Sequence, residues 1–137
     1  METILIVDDK AHLRALLHEW LAAEFPDCRI LEAASGEEAV NRAGAVPTSL
    51  AVMDIGLPGM NGIETARILT AQHPDLKVVI LSIHEEERYR REAAAAGVHA
   101  YVPKRQLQDK LLPSIRELLT GSKPAPLGAG AAPEVRE

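Results

Sequence analysis

The chain has 137 residues, enough to bury one sizeable core and too few for two full-sized domains. Hydrophobic residues make up 47% and charged residues 26%, which excludes disorder of the whole chain, and a net charge of -5 from 15 basic and 20 acidic side chains disfavours direct DNA binding by this chain alone. With Cys28 the only cysteine, no internal disulfide forms; no apolar run approaches the ~20 residues of a membrane span, and the start lacks a signal-peptide pattern, so the expected compartment is the cytoplasm with no membrane partner.

In chain order, Thr3 to Val7 is a continuous aliphatic run and reads as a buried strand, closed off by Asp8 and Asp9. Ala11 to Ala23 follows as a helix with Leu13, Leu16, Leu17, Trp20 and Leu21 on one side. A short strand over Arg29 to Glu32 precedes a helix from Gly36 to Ala45, whose start is marked by Ser35-Gly36-Glu37-Glu38. Ser49 to Met53 is the next strand, with a helix over Gly62 to Gln72, then a strand over Lys77 to Leu81 and a helix over Glu85 to Ala96, closed by Gly97. His99 to Val102 is a weaker strand, and Gln106 to Leu119 a last helix with Leu107, Leu111, Leu112, Ile115, Leu118 and Leu119 inward. Pro26, Pro47 and Pro74 fall in connections.

Strands alternating with helices over short connections predict an α/β fold, an open, doubly wound parallel sheet with right-handed crossovers. This domain occupies residues 1–120. From Gly121 the composition turns to Gly, Ala and Pro, which buries too little apolar surface to order itself, so 121–137 reads as a flexible tail or linker.

In such a sheet the working crevice lies at the carboxyl ends of the strands. Asp8 and Asp9 sit at the end of the first strand and Asp54 just past the third, so their carboxylates share one rim. Clustered carboxylates repel, and either their pKa values rise or a cation holds them. An all-oxygen set without Cys or His suits a hard ion such as Mg²⁺, or Mn²⁺. Ser82 and Lys104, at the ends of the fourth and fifth strands, bring a hydroxyl donor and an ammonium to the same rim. Phosphoryl transfer needs mainly positioning and charge stabilisation, so these residues form a sufficient set.

The segments Leu5-Ile6-Val7-Asp8-Asp9, Met53-Asp54 through Glu64, Leu81-Ser82 and Tyr101-Val102-Pro103-Lys104 resemble the receiver domain of bacterial response regulators over roughly residues 2 to 120. The resemblance implies a flavodoxin-like five-stranded sheet of order 2-1-3-4-5. It implies Asp54 as phosphoryl acceptor, with Ser82 and Lys104 assisting, and a metal held by Asp8, Asp9, Asp54 and the Gly56 backbone carbonyl. It also implies a switch in which the Ser82 hydroxyl turns toward the phosphoryl group and the Tyr101 ring turns inward. A sensor histidine kinase or phosphotransfer protein would supply the phosphoryl group. A homodimer through the fourth helix, fifth strand and fifth helix is the family's use of its responsive surface.

The segment around Asp54 is closest to the branch that usually precedes a LuxR-type helix-turn-helix. The chain is therefore expected to be a stand-alone receiver or the N-terminal part of such a regulator. Two departures stand out: Pro103 precedes Lys104, where many receivers carry a proline after the lysine, and Lys10 follows the acidic pair and is expected to face solvent. Most of the five histidines read as surface residues, while His84 sits two residues beyond Ser82, where it could overhang the crevice. Glu86 and Glu87 precede Arg90 and Arg91 at i,i+4 spacing and read as helix support.

Competing readings are weaker. A haloacid-dehalogenase type phosphatase needs a second acidic residue at Asp-x-Asp spacing, whereas Ile55-Gly56 follows Asp54. The chain is accordingly expected to be a signalling switch and not an enzyme, apart from phosphorylating and dephosphorylating itself. A flavodoxin-type module lacks its phosphate loop here. The alternative kept open is a receiver-like interaction module that works without phosphate.

Overall fold

The computed structural model describes residues 1–120, so the expected tail over 121–137 lies outside the described residues. Runs of aliphatic residues can be covered on both faces, and β1 (Thr3–Val7) and β3 (Leu50–Asp54) are buried at every position. With β2 (Arg29–Ala33), β4 (Lys77–Ser82) and β5 (Ala100–Pro103) they form one parallel sheet of order β2-β1-β3-β4-β5. The helices are α1 (Ala11–Glu24), α2 (Gly36–Ala45), α3 (Gly62–Gln72), α4 (Glu87–Ala95) and α5 (Leu107–Leu119), the last entered through a single 3₁₀ turn at Lys104–Gln106.

Side chains alternate across each strand, and this divides the core in two. Leu5, Val7, Ala51, Met53, Val78 and Ile80 face α2, α3 and α4 through Ala39, Ala43, Ala66, Leu69 and Ala93. Ile4, Ile6, Leu50, Val52, Val79 and Leu81 face α1 and α5 through Leu17, Leu21, Leu111, Ile115 and Leu118. The sheet is therefore doubly wound as expected, and its order reverses between β1 and β3, which opens the crevice at their carboxyl ends.

Helix ends follow local chemistry. The Ser35 hydroxyl accepts from the Glu38 N–H at 3.0 Å, and Asn61 and Glu64 close a capping box on α3. Gly97 adopts φ +90 after α4, a conformation that admits glycine readily. Pro113 lies inside α5, where a proline costs about 3 kcal/mol. Burial of Leu111, Ile115 and Leu118, roughly 1.5–3 kcal/mol each, outweighs that cost and the helix continues.

Several expectations need correction. Leu16 does not join the buried side of α1: it is 54% exposed, on an open groove between α1 and α5 that Trp20 and Leu107 also line. The stripe of Leu17 and Leu21 fills the space against the sheet, and Leu16 falls beyond its edge. Helix α4 starts at Glu87, so Glu86 is its N-terminal cap. Glu87 meets Arg91 at 4.0 Å as expected, but Arg90 instead lies over the Tyr101 ring, 4.8 Å from its centroid.

Nor are the histidines all simple surface groups. His18 binds Glu32, and His99 is partly buried, its Nδ1 accepting from the Val78 N–H at 3.2 Å. Burial, reinforced by the charge of Lys77, pushes the His99 imidazole below its ordinary 6.5. A depressed histidine pKa favours the neutral ring in the folded state. Its contribution to stability is complete above about pH 6.5 and is lost as the pH falls below that value toward the folded pKa. Thermal melts of the metal-free protein between pH 7 and 5 are expected to show falling stability, with a shallower dependence for His99→Gln. Parallel curves for the two proteins would exclude His99 as the source.

Candidate functional site

Each site residue is delivered by the end of a central strand. The Asp8 N–H donates to the Ala33 carbonyl at 3.1 Å, which extends the β1–β2 ladder by one residue and holds the first carboxylate at the rim. Asp54 is the last residue of β3, and the following Ile55 N–H donates to the Leu81 carbonyl at 2.9 Å. Asp8 and Asp54 are buried and Asp9 is exposed, yet carboxylate oxygens of all three lie within 4.8 Å of one another. One Asp8 oxygen accepts the Lys10 N–H at 2.8 Å, while the other, Oδ2, is buried with no hydrogen-bond partner among the described residues.

Burial pushes the Asp8 carboxyl above the usual carboxylate range; the Lys10 N–H pulls it down and the charge of Asp54 pushes it up. An orphaned oxygen beside two further carboxylates is the pattern a divalent cation completes, and the donor set is oxygen throughout. The residues therefore fit Mg²⁺. Gly56 is exposed beside them, its Cα hydrogen directed so that a Cβ there would come 3.9 Å from Asp54 Oδ2.

Two ammonium groups face Asp54. Lys104 Nζ is 3.1 Å from Oδ1, and Lys10 Nζ is 3.6 Å from Oδ2 and 3.6 Å from Asp9 Oδ1. Lys10 thus does not simply face solvent, which corrects the expectation for that departure. Lys104 reaches the crevice from the residue after Pro103, and no peptide bond among the described residues is cis.

Ser82 is fully buried, and its Oγ accepts from the His84 N–H at 2.8 Å. The Tyr101 hydroxyl donates to the His84 carbonyl at 2.9 Å, so the ring already lies inward, with burial pushing its pKa up. The His84 ring stacks on Tyr89 of α4, with centroids 4.5 Å apart.

Three features had no strong sequence signal. Arg14 of α1 donates to the Asp8 carbonyl at 2.7 Å and to Glu32 of β2 at 2.9 Å, while His18 takes the other Glu32 oxygen at 2.6 Å. Burial works against the Glu32 charge, but its bonds to Arg14 and His18 hold the carboxyl below its usual range. Arg105, directly after Lys104 in sequence, grips Glu85 with both guanidinium arms at 2.6 and 2.9 Å, joining the loops after β4 and β5. Gly62 packs directly under the Asp54 backbone: a Cβ there would lie 2.6 Å from the Asp54 carbonyl oxygen.

The sequence model of the response regulator receiver domain matches residues 4–116. The chain belongs to that family. This receiver domain, a component of two-component signalling, is 35% identical over 118 residues to the transcriptional activator protein ExaE of Pseudomonas putida, covering 86% of this chain and 55% of that one. It is 32% identical to the transcriptional regulatory protein DegU of Brevibacillus brevis, over 86% of this chain and 50% of the relative. The chain thus spans about half the length of the curated relatives it matches, which belong to the LuxR/FixJ-type branch.

Among solved structures it resembles the response regulator TrrA of Thermotoga maritima in complex with Mg²⁺-BeF, at 32% identity and a TM-score of 0.76, covering 86% of this chain and 99% of that one. A LuxR-family DNA-binding response regulator from Staphylococcus aureus shares the fold at a TM-score of 0.79 and 24% identity, covering 86% and 98% of the two chains. No helix of the described residues is long and apolar enough to cross a membrane.

Proposed function

We propose that this receiver accepts a phosphoryl group on Asp54 and converts it into a change of surface at α4, β5 and α5. The observation that carries the reading is the buried Asp54 carboxylate, held by Lys104 at 3.1 Å beside Asp8 and Asp9, with the Asp8 Oδ2 left unpartnered. Asp8, Asp9, Asp54 and the Gly56 carbonyl would hold Mg²⁺ or Mn²⁺. When bound, the ion neutralises charge on the oxygens of the transferring group.

The chain's own residues do the rest. A carboxylate oxygen of Asp54 attacks phosphorus, the bond from phosphorus to the donor's imidazole nitrogen breaks, and the electron pair leaves with the imidazole, giving an acyl phosphate. Ionised Asp54 needs no general base. Lys104 offsets the negative charge arriving on Asp54, and the buried Ser82 hydroxyl supplies a donor. Tyr101 couples to this through the His84 backbone, because Ser82 Oγ and Tyr101 OH bind its N–H and its carbonyl. The donor is a sensor histidine kinase or phosphotransfer protein in the cytoplasm, and phosphorylation favours a homodimer through α4, β5 and α5. The chain itself is a switch and not a turnover enzyme, since Ile55 and Gly56 follow Asp54 and leave no acidic residue at the Asp-x-Asp spacing to act as acid/base.

The test is intact-mass measurement after incubation with acetyl phosphate, with and without Mg²⁺, on the natural chain and Asp54→Asn. One Mg²⁺-dependent phosphoryl adduct is expected, absent from the variant, and the same samples on a sizing column report dimer formation. Absence of an adduct together with failure to bind a beryllofluoride mimic would leave a phosphate-independent interaction module as the better reading.

A further inference from the structure

Lys10 touches all three acidic residues of the crevice. Its backbone N–H donates to Asp8 at 2.8 Å, and its ammonium stands 3.6 Å from Asp9 and 3.6 Å from Asp54. The side chain is 60% exposed, so packing contributes little to holding it there. Attraction to the two carboxylates is the evident cause, and both in turn stabilise the charged ammonium. Lys104 engages the other oxygen of Asp54, which leaves Lys10 on the side where Asp9 and Asp54 converge.

We propose that Lys10 is a resident counter-ion of the metal-free crevice, its ammonium standing between Asp9 and Asp54 where a divalent cation must compete with it. This rests on the reading above that the cluster holds Mg²⁺. Without metal, one positive charge relieves the repulsion among three carboxylates, and the chain stays folded with the acceptor oxygen covered. As the ion arrives the ammonium swings to solvent on its flexible stem, and part of the binding energy is spent on that displacement. The consequence is a receiver with weakened Mg²⁺ affinity and reduced dependence on Mg²⁺ for stability.

The experiment compares the whole chain with Lys10→Gln and Lys10→Arg, by calorimetric titration with Mg²⁺ and by thermal melting in EDTA and in saturating Mg²⁺. Removing a unit charge about 4 Å from two ligand carboxylates is expected to tighten Mg²⁺ binding of Lys10→Gln roughly tenfold at low salt, less at high salt. In EDTA the same variant is expected to melt below the natural chain, and in Mg²⁺ that deficit closes or reverses. Lys10→Arg keeps the natural pattern. Equal Mg²⁺ affinity and equal melting in EDTA would overturn the proposal and make Lys10 a solvated side chain, as would weaker binding by Lys10→Gln. If none of the proteins binds Mg²⁺, the metal reading fails by itself, and the EDTA melts still decide whether Lys10 is the counter-ion.

Discussion

Replacing Asp8 by asparagine is expected to stabilise the metal-free protein and abolish its response to Mg²⁺. The Asp8 carboxylate is 1% exposed, has one oxygen without a partner, and lies within 4.8 Å of two other carboxylates. Its ionised form is disfavoured by the fold, which is why burial raises its pKa. A neutral amide of the same shape removes the buried charge, with an expected gain of about 1–2 kcal/mol at neutral pH in EDTA. For a chain of this size that is a rise of several degrees in the melting midpoint.

The sign follows from the raised pKa. The native state bears the cost of ionised Asp8 only above its folded pKa, and the cost disappears as the pH falls through that value toward the ordinary 3.8. The advantage of Asp8→Asn should therefore be present at pH 7 and shrink in acid. Saturating Mg²⁺ stabilises the natural chain by mass action and leaves the variant unchanged. Melting both proteins with and without Mg²⁺ at neutral and acidic pH checks every part of this. A variant that still gained stability from Mg²⁺ would move the metal away from Asp8.

Gly62→Ala is expected to be a strongly damaging single-methyl change. The added carbon would stand 2.6 Å from the Asp54 carbonyl oxygen and 2.7 Å from the Ile55 Cα, both backbone atoms with no side chain to move aside. Either the end of β3 or the start of α3 must shift. Overpacking of this kind costs about 1–3 kcal/mol. A displacement of the Asp54 carboxylate approaching 1 Å lowers phosphoryl acceptance by up to about 100-fold. Gly44→Ala supplies the contrast, because a Cβ at that α2 position meets nothing within 4 Å and an alanine favours the helix by about 1 kcal/mol. Melting and acetyl phosphate labelling of the two variants should move in opposite directions for stability and differ sharply in labelling. Near-natural labelling of Gly62→Ala would show that the β3 end tolerates the shift.

The two variants probe different kinds of information. Asp8, Asp9, Asp54, Ser82 and Lys104 were legible as one rim because a parallel sheet brings every strand's carboxyl end to the same side, and the aliphatic runs place those ends in the chain. The burial of β1 and β3 follows from the same runs, and the cap at Ser35 from the Ser35-Gly36-Glu37-Glu38 start, whereas the order of the strands was implied by the family resemblance and the Asn61 cap came from the structure. Periodicity on α1 was less informative, since it marks a stripe without its width: Leu17 and Leu21 meet the sheet, while Leu16 lies outside it.

Local composition determined the helices, the strands and the acidic rim, because backbone hydrogen bonding and apolar burial act on neighbouring residues with fixed periods. Tertiary structure alone decided the pairings between distant or flexible side chains. Arg14 reaches Glu32 and the Asp8 carbonyl, Arg105 reaches Glu85, and Arg90 leaves its i,i+4 partner for the Tyr101 ring. Lys10 turns back onto Asp54, and Gly62 comes under the Asp54 backbone. Long charged side chains have many rotamers of similar energy, and the close approach of two backbones depends on how α3 seats against β3. Neither is encoded in any short window of sequence, and both are settled only when the charges and surfaces of separate elements meet.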